Sequence, residues 1–259
     1  MDVVVCLRRV PFTQEVDLEI DKGQRQITAE NLAFVLNDWD NYALEEAISI
    51  KERTKGTVTA ITVGTEEDEE VLRRALAMGA DTAIRIDSEG LTLDPRNIAR
   101  LLARVIRGLR FHLILTGAQS DDLNEGCVGP MLAEELGLPH ASVVNKIELG
   151  EDVLGIKLEL EGGIEETSTI RLPCLLTIQT GINEPRYVSV MGIRKAAKKE
   201  LKVVSIEELS VDKEALVPDV YVERLFYPPE AGGAEILAGD PLTVAEKILR
   251  ILRERGVIS

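Results

Sequence analysis

In the first half of the chain, strand-like segments alternate with segments whose hydrophobic residues have the spacing of a helix. Strand-like segments rich in Val, Ile and Leu occur at residues 3–7, 58–63, 82–86 and 111–116, and the first of them is a continuous apolar run. Such runs are typical of strands that are buried on both faces of a parallel sheet. Apolar side chains at the spacing of an amphipathic helix occur at residues 38–53, 65–79, 95–106 and 127–136. This β-α-β-α order predicts an α/β fold built on a doubly wound parallel sheet.

Polar, proline and glycine residues predict where several of these helices begin and end. Asp38 or Asp40 is expected to cap the first helix, and Thr65 precedes an acidic turn that complements the dipole of the second. Gly79 is expected to end the second helix, and Pro95 to open the third.

The pattern changes after residue 141, where strand-like segments follow one another without a long helix between them. They occupy residues 143–149, 153–160, 166–172 and 175–180, and we expect them to extend the first sheet or to pack beside it. An earlier alternating segment, residues 15–20, is predicted to form a hairpin or an edge strand.

The region from residue 203 to residue 240 shows little regular pattern and precedes a last helix at residues 243–253. Long irregular stretches are rare within a compact domain, and we expect this one to lie on another chain. The sequence therefore predicts an α/β domain with additional C-terminal strands at residues 1–200, and an extended C-terminal arm with its helix at residues 201–259.

Composition and charge narrow the choice of partners. Apolar residues make up 45% of the chain, which is enough for a sizeable core, but aromatic residues make up only 3%. The core must therefore consist of Val, Ile, Leu and Ala. The net charge of −15 disfavours binding to nucleic acid or to anionic membranes. The basic run at residues 194–199 is expected to be solvated.

Cysteine usage and hydropathy predict a reduced, cytoplasmic protein. Cys6, Cys127 and Cys174 are far apart and form no CxxC pair, so neither a disulfide framework nor a zinc site is expected. We see no signal peptide and no membrane-spanning run in the sequence.

The carboxyl ends of parallel strands are the places where ligands bind in open α/β sheets. Here they fall at residues 6–8, 63–65 and 117–119, and the third leads through a loop into the helix that starts at residue 127. Small residues let the backbone approach a ligand, and helix N-terminal amides suit a phosphate. We expect a phosphate or pyrophosphate near residues 126–129; the alternative is a loop that is glycine-rich because its turns are tight.

No catalytic motif is found in the sequence. Neither a GxGxxG after the first strand nor a GxxxxGK[ST] occurs, and His112 and His140 lack the spacing of a metal site. Cys127 has either a packing role or, at a helix N-terminus, a lowered pKa that makes it reactive. Trp39, the only tryptophan, either packs in the core or stacks near an aromatic cofactor. The residues alone therefore assign no catalytic role to this chain.

Several short strings resemble the β subunits of electron transfer flavoproteins. They are Val10-Pro11 with Thr13, ALEEA at residues 43–47, ALAMGAD at 75–81, Gly117-x-Gln119, Val128-Gly129-Pro130 and NEPRY at 183–187. The match runs in order from residue 1 to about residue 201, and ALAMGAD and NEPRY are specific strings.

The resemblance implies an adenine nucleotide-binding sheet of the Rossmann-like, HUP type that pairs with a larger α subunit. An FAD carried mainly by that subunit would lie at the interface. It would pass electrons between acyl-CoA-type or other dehydrogenases and an acceptor such as a quinone oxidoreductase, ferredoxin or flavodoxin. The β subunit holds AMP in most members and a second FAD, reduced by NADH, in electron-bifurcating members. Residues 201–259 would pack on the α subunit.

The resemblance also assigns roles to individual residues. Thr13 and Trp39 correspond to positions near the α-subunit flavin. The loop by which the family docks on dehydrogenases corresponds to Val190, Met191, Ile193 and Arg194. The nucleotide site corresponds to Cys6, Leu7, Arg8, Val63, Gly64, Gly117, Ala118, Gln119, Asp122, Glu125, Gly126, Cys127, Val128 and Gly129.

The loop at residues 117–129 reads GAQSDDLNEGCVG, and its details bear on the choice of nucleotide. The AMP type of the family has Gln-Thr where this chain has Cys127-Val128, whereas the bifurcating type shares Val128, Gly129 and Pro130. Both types have a lysine where this chain has Ala118, and Glu125 replaces a threonine of the bifurcating type. The pattern favours a second FAD and leaves AMP open. A universal-stress-type module that binds AMP or ATP without electron transfer is the alternative function, because that class has the same sheet.

Overall fold

The computed structural model describes residues 1–13, 16, 18–28, 32–229 and 233–258. The chain divides into two compact units, Met1–Glu223 and Arg224–Ser259. The strands are β1 (Val3–Cys6), β2 (Arg9–Pro11), β3 (Phe34–Leu36), β4 (Val58–Gly64), β5 (Thr82–Asp87), β6 (Leu113–Gly117), β7 (His140–Glu148), β8 (Val153–Leu160), β9 (Ile164–Arg171), β10 (Cys174–Ile178) and β11 (Leu201–Val204). The helices are α1 (Asp38–Thr54), α2 (Glu69–Met78), α3 (Pro95–Ile106), α4 (Val128–Leu136), α5 (Val190–Ala196) and α6 (Pro241–Glu254).

A sheet of nine strands, counted over the described residues, forms the centre of the first unit. Its order is β11-β5-β4-β1-β6-β10-β7-β8-β9. The strands from β11 to β7 run parallel, and β8 and β9 continue the sheet with antiparallel pairing. The predicted doubly wound sheet is confirmed, and the strands after residue 141 extend it. The short strands β2 and β3 pair antiparallel in a separate ribbon.

The direction of winding reverses beside β1. The chain passes from β1 to β4 and β5 on one side, and then crosses to β6 on the other side of β1. Val4 of β1 is aligned with Thr59 of β4 and with Ile114 of β6. A crevice forms at the carboxyl ends of the strands where such a reversal occurs, and here it lies between β1 and β6.

Alternate side chains of β1 enter two separate cores, one on each face of the sheet. Val3 and Val5 pack into the core that α1 and α2 cover, whereas Val4 and Cys6 pack into the core that α3 and α4 cover. Leu44 of α1 is fully buried in the first core. Burying one such side chain stabilises the fold by about 1.5–3 kcal/mol, so the aromatic-poor core rests on many aliphatic contacts.

Helix α1 does not begin as the sequence predicted. Asn37 occupies its N-cap position, so the expectation of a cap from Asp38 or Asp40 is wrong. Both aspartates lie in the first turn, where negative charge also complements the helix dipole, and the sequence pattern cannot separate the two positions. The carboxylate of Asp40 binds strand ends instead, as described below.

The boundaries of α2 and α3 lie where the sequence predicted them. Thr65 precedes a 3₁₀ turn at Glu66–Asp68, and the Asp68 carboxylate accepts a hydrogen bond from the Thr65 N–H at 2.7 Å. Helix α2 ends immediately before Gly79, and Pro95 opens α3. Asp94, which the sequence analysis did not single out, caps α3 by accepting from the Asn97 N–H at 2.8 Å.

The first unit extends past residue 200, where the sequence placed a boundary. Strand β11 pairs with β5 at the edge of the sheet, and Ile206 and Leu216 are buried in the core beneath α3. The unit ends at Glu223. The residues that make these buried contacts are single apolar residues in a polar stretch. They show no helical or strand periodicity, so the sequence pattern did not predict them.

The second unit contains α6, whose N-cap Asp240 accepts hydrogen bonds from the N–H groups of Leu242 and Thr243. Phe226, Ile236 and Leu242 are exposed apolar residues of this unit. Its packing on an α subunit stays a prediction.

Two further outcomes concern single segments. In the alternating segment at residues 15–20, residues 15 and 17 lie outside the described part of the chain, and Ile20 forms an antiparallel bridge with Ile27. None of the helices within the described ranges combines the length and the hydrophobicity needed to cross a lipid bilayer.

Candidate functional site

A cavity of about 750 Å³ opens at the carboxyl ends of β1, β4 and β6, where the winding of the sheet reverses. Its volume lies in the range of about 300–1,000 Å³ that is typical of small-molecule sites. It is called the switch-point cavity below. The residues proposed from sequence that line it are Cys6, Leu7, Arg8, Val63, Gly117, Ala118, Gln119, Glu125, Gly126, Cys127, Val128 and Gly129.

Four residues of the proposed set lie outside the cavity lining. Gly64 ends β4 beside the lining residue Val63, and Asp122 meets the cavity only through its ion pair with Arg8. Thr13 is exposed and Trp39 is partly buried in the first turn of α1, so their placement near a flavin of another subunit stays a prediction.

Asp40 joins the two strand ends that flank the switch point. Its carboxylate accepts hydrogen bonds from the Arg8 N–H after β1 and from the Gly117 N–H at the end of β6, both at 2.8 Å. A Cβ atom at residue 117 would lie 2.5 Å from Asp40 Oδ1, so a glycine is needed there. Burial raises the pKa of Asp40 to about 7, although these hydrogen bonds oppose the shift.

Asn37 fixes the loop that follows β6. Its side-chain amide donates to the Gln119 carbonyl at 2.9 Å, and its side-chain oxygen accepts from the Asp121 N–H at 3.0 Å. Asn37 is almost fully buried, and a buried polar group needs such partners. The N-terminal turn of α1 thus holds both walls of the crevice with Asn37 and Asp40.

The segment at residues 126–129 has the geometry of an anion site. Gly126 has a φ of 61°, a left-handed conformation that favours glycine. Gly129 packs against β10, since a Cβ atom there would lie 2.5 Å from Thr177 Cγ2. The segment runs into the N-terminus of α4, and the first amides of a helix have no intrahelical acceptor. Such amides, at the positive end of the helix dipole, suit a phosphate.

The charged groups around this segment are partly neutralised. Arg8 pairs with Asp122 at 2.5 Å, and Asp122 also accepts from the Leu123 N–H at 2.9 Å. Glu125 is exposed. The charges of Asp122 and Arg8 therefore offset each other. Arg25 contributes positive charge to the cavity lining, which also contains the acidic residues Asp40, Asp94 and Glu125.

None of the three cysteines is activated. Burial raises the pKa of Cys174 to about 12 and raises that of Cys6 further. Burial and the nearby Glu125 charge also raise the pKa of Cys127. This direction is opposite to the lowered pKa that the reactive alternative for Cys127 requires.

The two histidines lie away from the cavity lining. His112 precedes β6, and its Nδ1 accepts from the Asp2 N–H at 3.0 Å. His140 begins β7 and is exposed. Within the described residues, no group of three or more His, Cys, Asp or Glu side chains is arranged to hold a metal ion.

Sequence reasoning missed one wall of the cavity. Residues 92–95 before α3 and residues 220–222 near the end of the first unit both line it. The Asp94-Pro95 pair is a helix-start signal that could have drawn attention to the first segment. Residues 220–222 show no periodic pattern and gave no signal.

The proposed docking segment forms a helix rather than a loop. Residues 190–194 lie in α5, because the Ser189 side chain caps the Gly192 N–H at 3.0 Å. The side chains of Val190, Met191 and Ile193 are more than half exposed, and Arg194 is exposed beside them.

The NEPRY segment that precedes α5 is anchored on α1. Arg186 donates to both carboxylate oxygens of Glu45 and pairs with Glu52 at 2.7 Å. These carboxylates raise the pKa of Arg186 further. Asn183 donates to the Glu46 carboxylate at 3.0 Å. Helix α1 therefore holds the base of the docking segment with the buried carboxylates of Glu45 and Glu46 and with Glu52, while its N-terminal turn forms the crevice.

Comparison with known proteins gives consistent results along the whole chain. A family model of the electron transfer flavoprotein domain matches residues 26–209. The electron transfer flavoprotein subunit beta of Bacillus subtilis (strain 168) is 36% identical over 260 residues, which cover all of both chains. The caffeyl-CoA reductase-Etf complex subunit CarD of Acetobacterium woodii is 32% identical over 265 residues, again covering both chains fully. The human electron transfer flavoprotein subunit beta is 30% identical over 99% of this chain and 98% of its own.

These similarities do not favour a universal-stress-type module, because full-length relatives carry electron transfer flavoprotein names. The chain therefore belongs to the electron transfer flavoprotein family, as a β subunit.

Proposed function

We propose that this β subunit pairs with a larger α subunit, carries electrons between dehydrogenases and an acceptor, and holds an adenine nucleotide in the switch-point cavity. The observation that carries the proposal is the position of that cavity. It opens where the sheet reverses, and twelve residues chosen from sequence as a nucleotide site line it together.

The residues present fit the phosphate part of such a nucleotide. The amides of residues 126–129 would bind the phosphate, and Arg25 would add positive charge from the same cavity lining. The strand ends at Cys6 and Val63 would hold the adenosine. A bound flavin supplies one- and two-electron chemistry; the chain itself binds, orients and excludes water.

The cavity favours FAD over AMP as the nucleotide in the β subunit. Besides residues 126–129, its lining includes residues 92–95 and 220–222, and Arg25 and Gln26. A mononucleotide bound at the phosphate site needs less than this span. With a second FAD, we expect the complex to oxidise NADH and to bifurcate electrons; with AMP, we expect simple transfer.

The partner assignments belong to the same proposal. The α-subunit FAD would lie near Thr13 and Trp39, and the second unit, residues 224–259, would pack on that subunit. The exposed side chains of α5 would contact an acyl-CoA-type or other dehydrogenase. Electrons would pass on to a quinone oxidoreductase, a ferredoxin or a flavodoxin, in the cytoplasm.

A count of bound cofactors tests the proposal. The chain is co-expressed with its α subunit, the heterodimer is purified, and the ligands released by acid are separated and counted. Two FAD molecules per heterodimer would support the proposal. One FAD and one AMP per heterodimer would show that the β subunit holds AMP instead of a second FAD. A stable, colourless homodimer without nucleotide would contradict the electron-transfer function.

A further inference from the structure

The wall of the switch-point cavity at residues 220–222 belongs to a segment that is tied down along its length. This segment, residues 217–222, is called the strap below. Asn97 of α3 donates its side-chain amide to the Val217 carbonyl at 3.2 Å. Arg96 of α3 pairs with the Asp219 carboxylate. The strap therefore lies across the N-terminal turn of α3.

Asp94 is the central anchor of the strap. One carboxylate oxygen caps α3 through the Asn97 N–H, and the other accepts from the Asp219 N–H at 2.7 Å. Asp94 is 96% buried, with a relative exposure of 4%. Burial alone would raise its pKa, but the N–H groups of Asn97, Asp219 and Val220 hold the pKa below its ordinary value. A charged anchor in a buried position gives the strap a defined place.

The strap includes one aromatic residue of the cavity lining. Tyr221 lines the cavity and is nevertheless 73% exposed, so the core of this chain does not use its ring. Helices α3 and α4 pack side by side, and the strap crosses the start of α3 while the phosphate segment at residues 126–129 leads into α4. A ring held here can stack on a flat group that extends past the phosphate.

We infer that the strap sets ligand specificity: Asp94 holds Tyr221 so that its ring stacks on the part of a nucleotide that lies beyond the phosphate bound at residues 126–129. The strap then favours a dinucleotide such as FAD over a mononucleotide such as AMP. Tyr221 is a ligand-contacting residue, and Asp94 is a positioning residue. This inference rests on the proposed nucleotide in the cavity.

The test compares FAD and AMP on the same full-length chain. Dissociation constants of both nucleotides are measured by calorimetry for the unaltered chain, Tyr221→Ala and Tyr221→Phe. We expect Tyr221→Ala to weaken FAD binding about tenfold, the size of one lost stacking contact, and to leave AMP binding within about twofold. Tyr221→Phe keeps the ring and is expected to keep the FAD affinity. Flavin fluorescence, which a stacked tyrosine quenches, should rise in Tyr221→Ala alone.

The variant Asp94→Asn distinguishes the two roles of Asp94, which anchors the strap and caps α3. An asparagine oxygen can still cap α3, but its amide nitrogen cannot accept from the Asp219 N–H. We expect a loss for FAD of about threefold with the AMP affinity unchanged. Tyr187→Ala, which removes an exposed tyrosine outside the cavity lining, serves as the matched control and is expected to change neither affinity.

The outcomes distinguish the inference from the proposed function. Equal losses for FAD and AMP in Tyr221→Ala, or no loss for either, would overturn the role of the strap while leaving the cavity as a nucleotide site. Failure of the unaltered chain to bind either nucleotide would overturn the proposed function itself, and the inference with it.

Discussion

The crevice at the switch point and the surface of α5 use the same helix, α1, in opposite ways. At the crevice, α1 contributes buried polar groups, Asn37 and Asp40, which bind backbone atoms of the strand ends. At α5, it contributes carboxylates on its flank that hold Arg186, while the apolar side chains of α5 remain exposed. The crevice is shaped by main-chain geometry, whereas the surface of α5 is defined by its exposed side chains.

The difference explains which changes each region tolerates. A backbone site depends on the residues that position the main chain, so substitution of a buried group such as Asp40 is expected to lower the stability of the fold together with nucleotide binding. Binding through a side-chain surface depends on the side chains that contact the partner, so truncating them weakens binding directly. Substitutions at the crevice are therefore expected to lower stability, whereas substitutions on α5 are expected to weaken partner recognition.

The largest effect is expected for Asp40→Ala. It leaves the N–H groups of Arg8 and Gly117 without their buried acceptor, at a cost of about 1–3 kcal/mol each. We expect the free energy of unfolding to fall by about 2–5 kcal/mol and nucleotide binding to weaken with it, as measured by urea unfolding with and without nucleotide. The control is Asp38→Ala, an exposed aspartate of the same turn, with a loss below about 1 kcal/mol. Equal losses for both variants would remove the special role of Asp40.

The pH dependence of stability should isolate the same carboxyl group. Because its pKa is raised from 3.8 to about 7 in the folded chain, the folded state retains a proton that the unfolded state releases. The stability it contributes is therefore complete below pH 3.8 and is lost as the pH rises through about 7.

Asp40→Asn removes this titration while keeping the size of the side chain. Relative to that variant, the unaltered chain should lose stability between pH 4 and 7 at no more than about 1.4 kcal/mol per pH unit. Thermal unfolding across this range is the measurement. Parallel profiles for the two proteins would show that Asp40 is already ionised at low pH.

Truncation of the α5 surface should affect the partner and spare the fold. We expect the double variant Val190→Ala/Met191→Ala to raise the KM for the heterodimer in a dehydrogenase assay about tenfold, with the unfolding midpoint unchanged. Ile164→Ala on β9 removes a similarly exposed apolar side chain and is the matched control. A similar rise in KM for the control would mean that α5 is not the docking surface.

A smaller effect is expected for Gly126→Ala. Gly126 and Gly137 have φ values of 61° and 67° and flank α4 at its two ends. An alanine at either position costs about 1 kcal/mol of stability, but only the first lies at the proposed phosphate site. Nucleotide affinity, measured by calorimetry, should fall severalfold for Gly126→Ala and stay unchanged for Gly137→Ala. A loss of affinity in both would indicate a general loosening of α4.

Much of the fold could be read from the sequence, because its signals are local. The Val-rich run of β1 and the glycine after α2 predict their elements without knowledge of the rest of the chain. Twelve of the predicted site residues line one cavity because their positions follow from the strand ends of the sheet. Asp40 was assigned to a cap instead, since an acid in the first helical turn has the same sequence pattern whether it caps or reaches across to a neighbouring strand.

The missed parts depend on contacts between distant segments. Asp94 lies 125 positions from Asp219 in the chain, and no periodic pattern marks residues 217–222. Strand β11 has four residues, two of them exposed, so its place at the sheet edge follows from pairing with β5 rather than from its own composition.

The position of the phosphate tests the central claim most directly. A crystal structure of the heterodimer with its natural nucleotide should place a phosphate about 3 Å from the amides of residues 126–129, with the adenosine along the carboxyl ends of β1 and β4. A nucleotide bound elsewhere, or a Glu125 side chain occupying this position, would contradict the account.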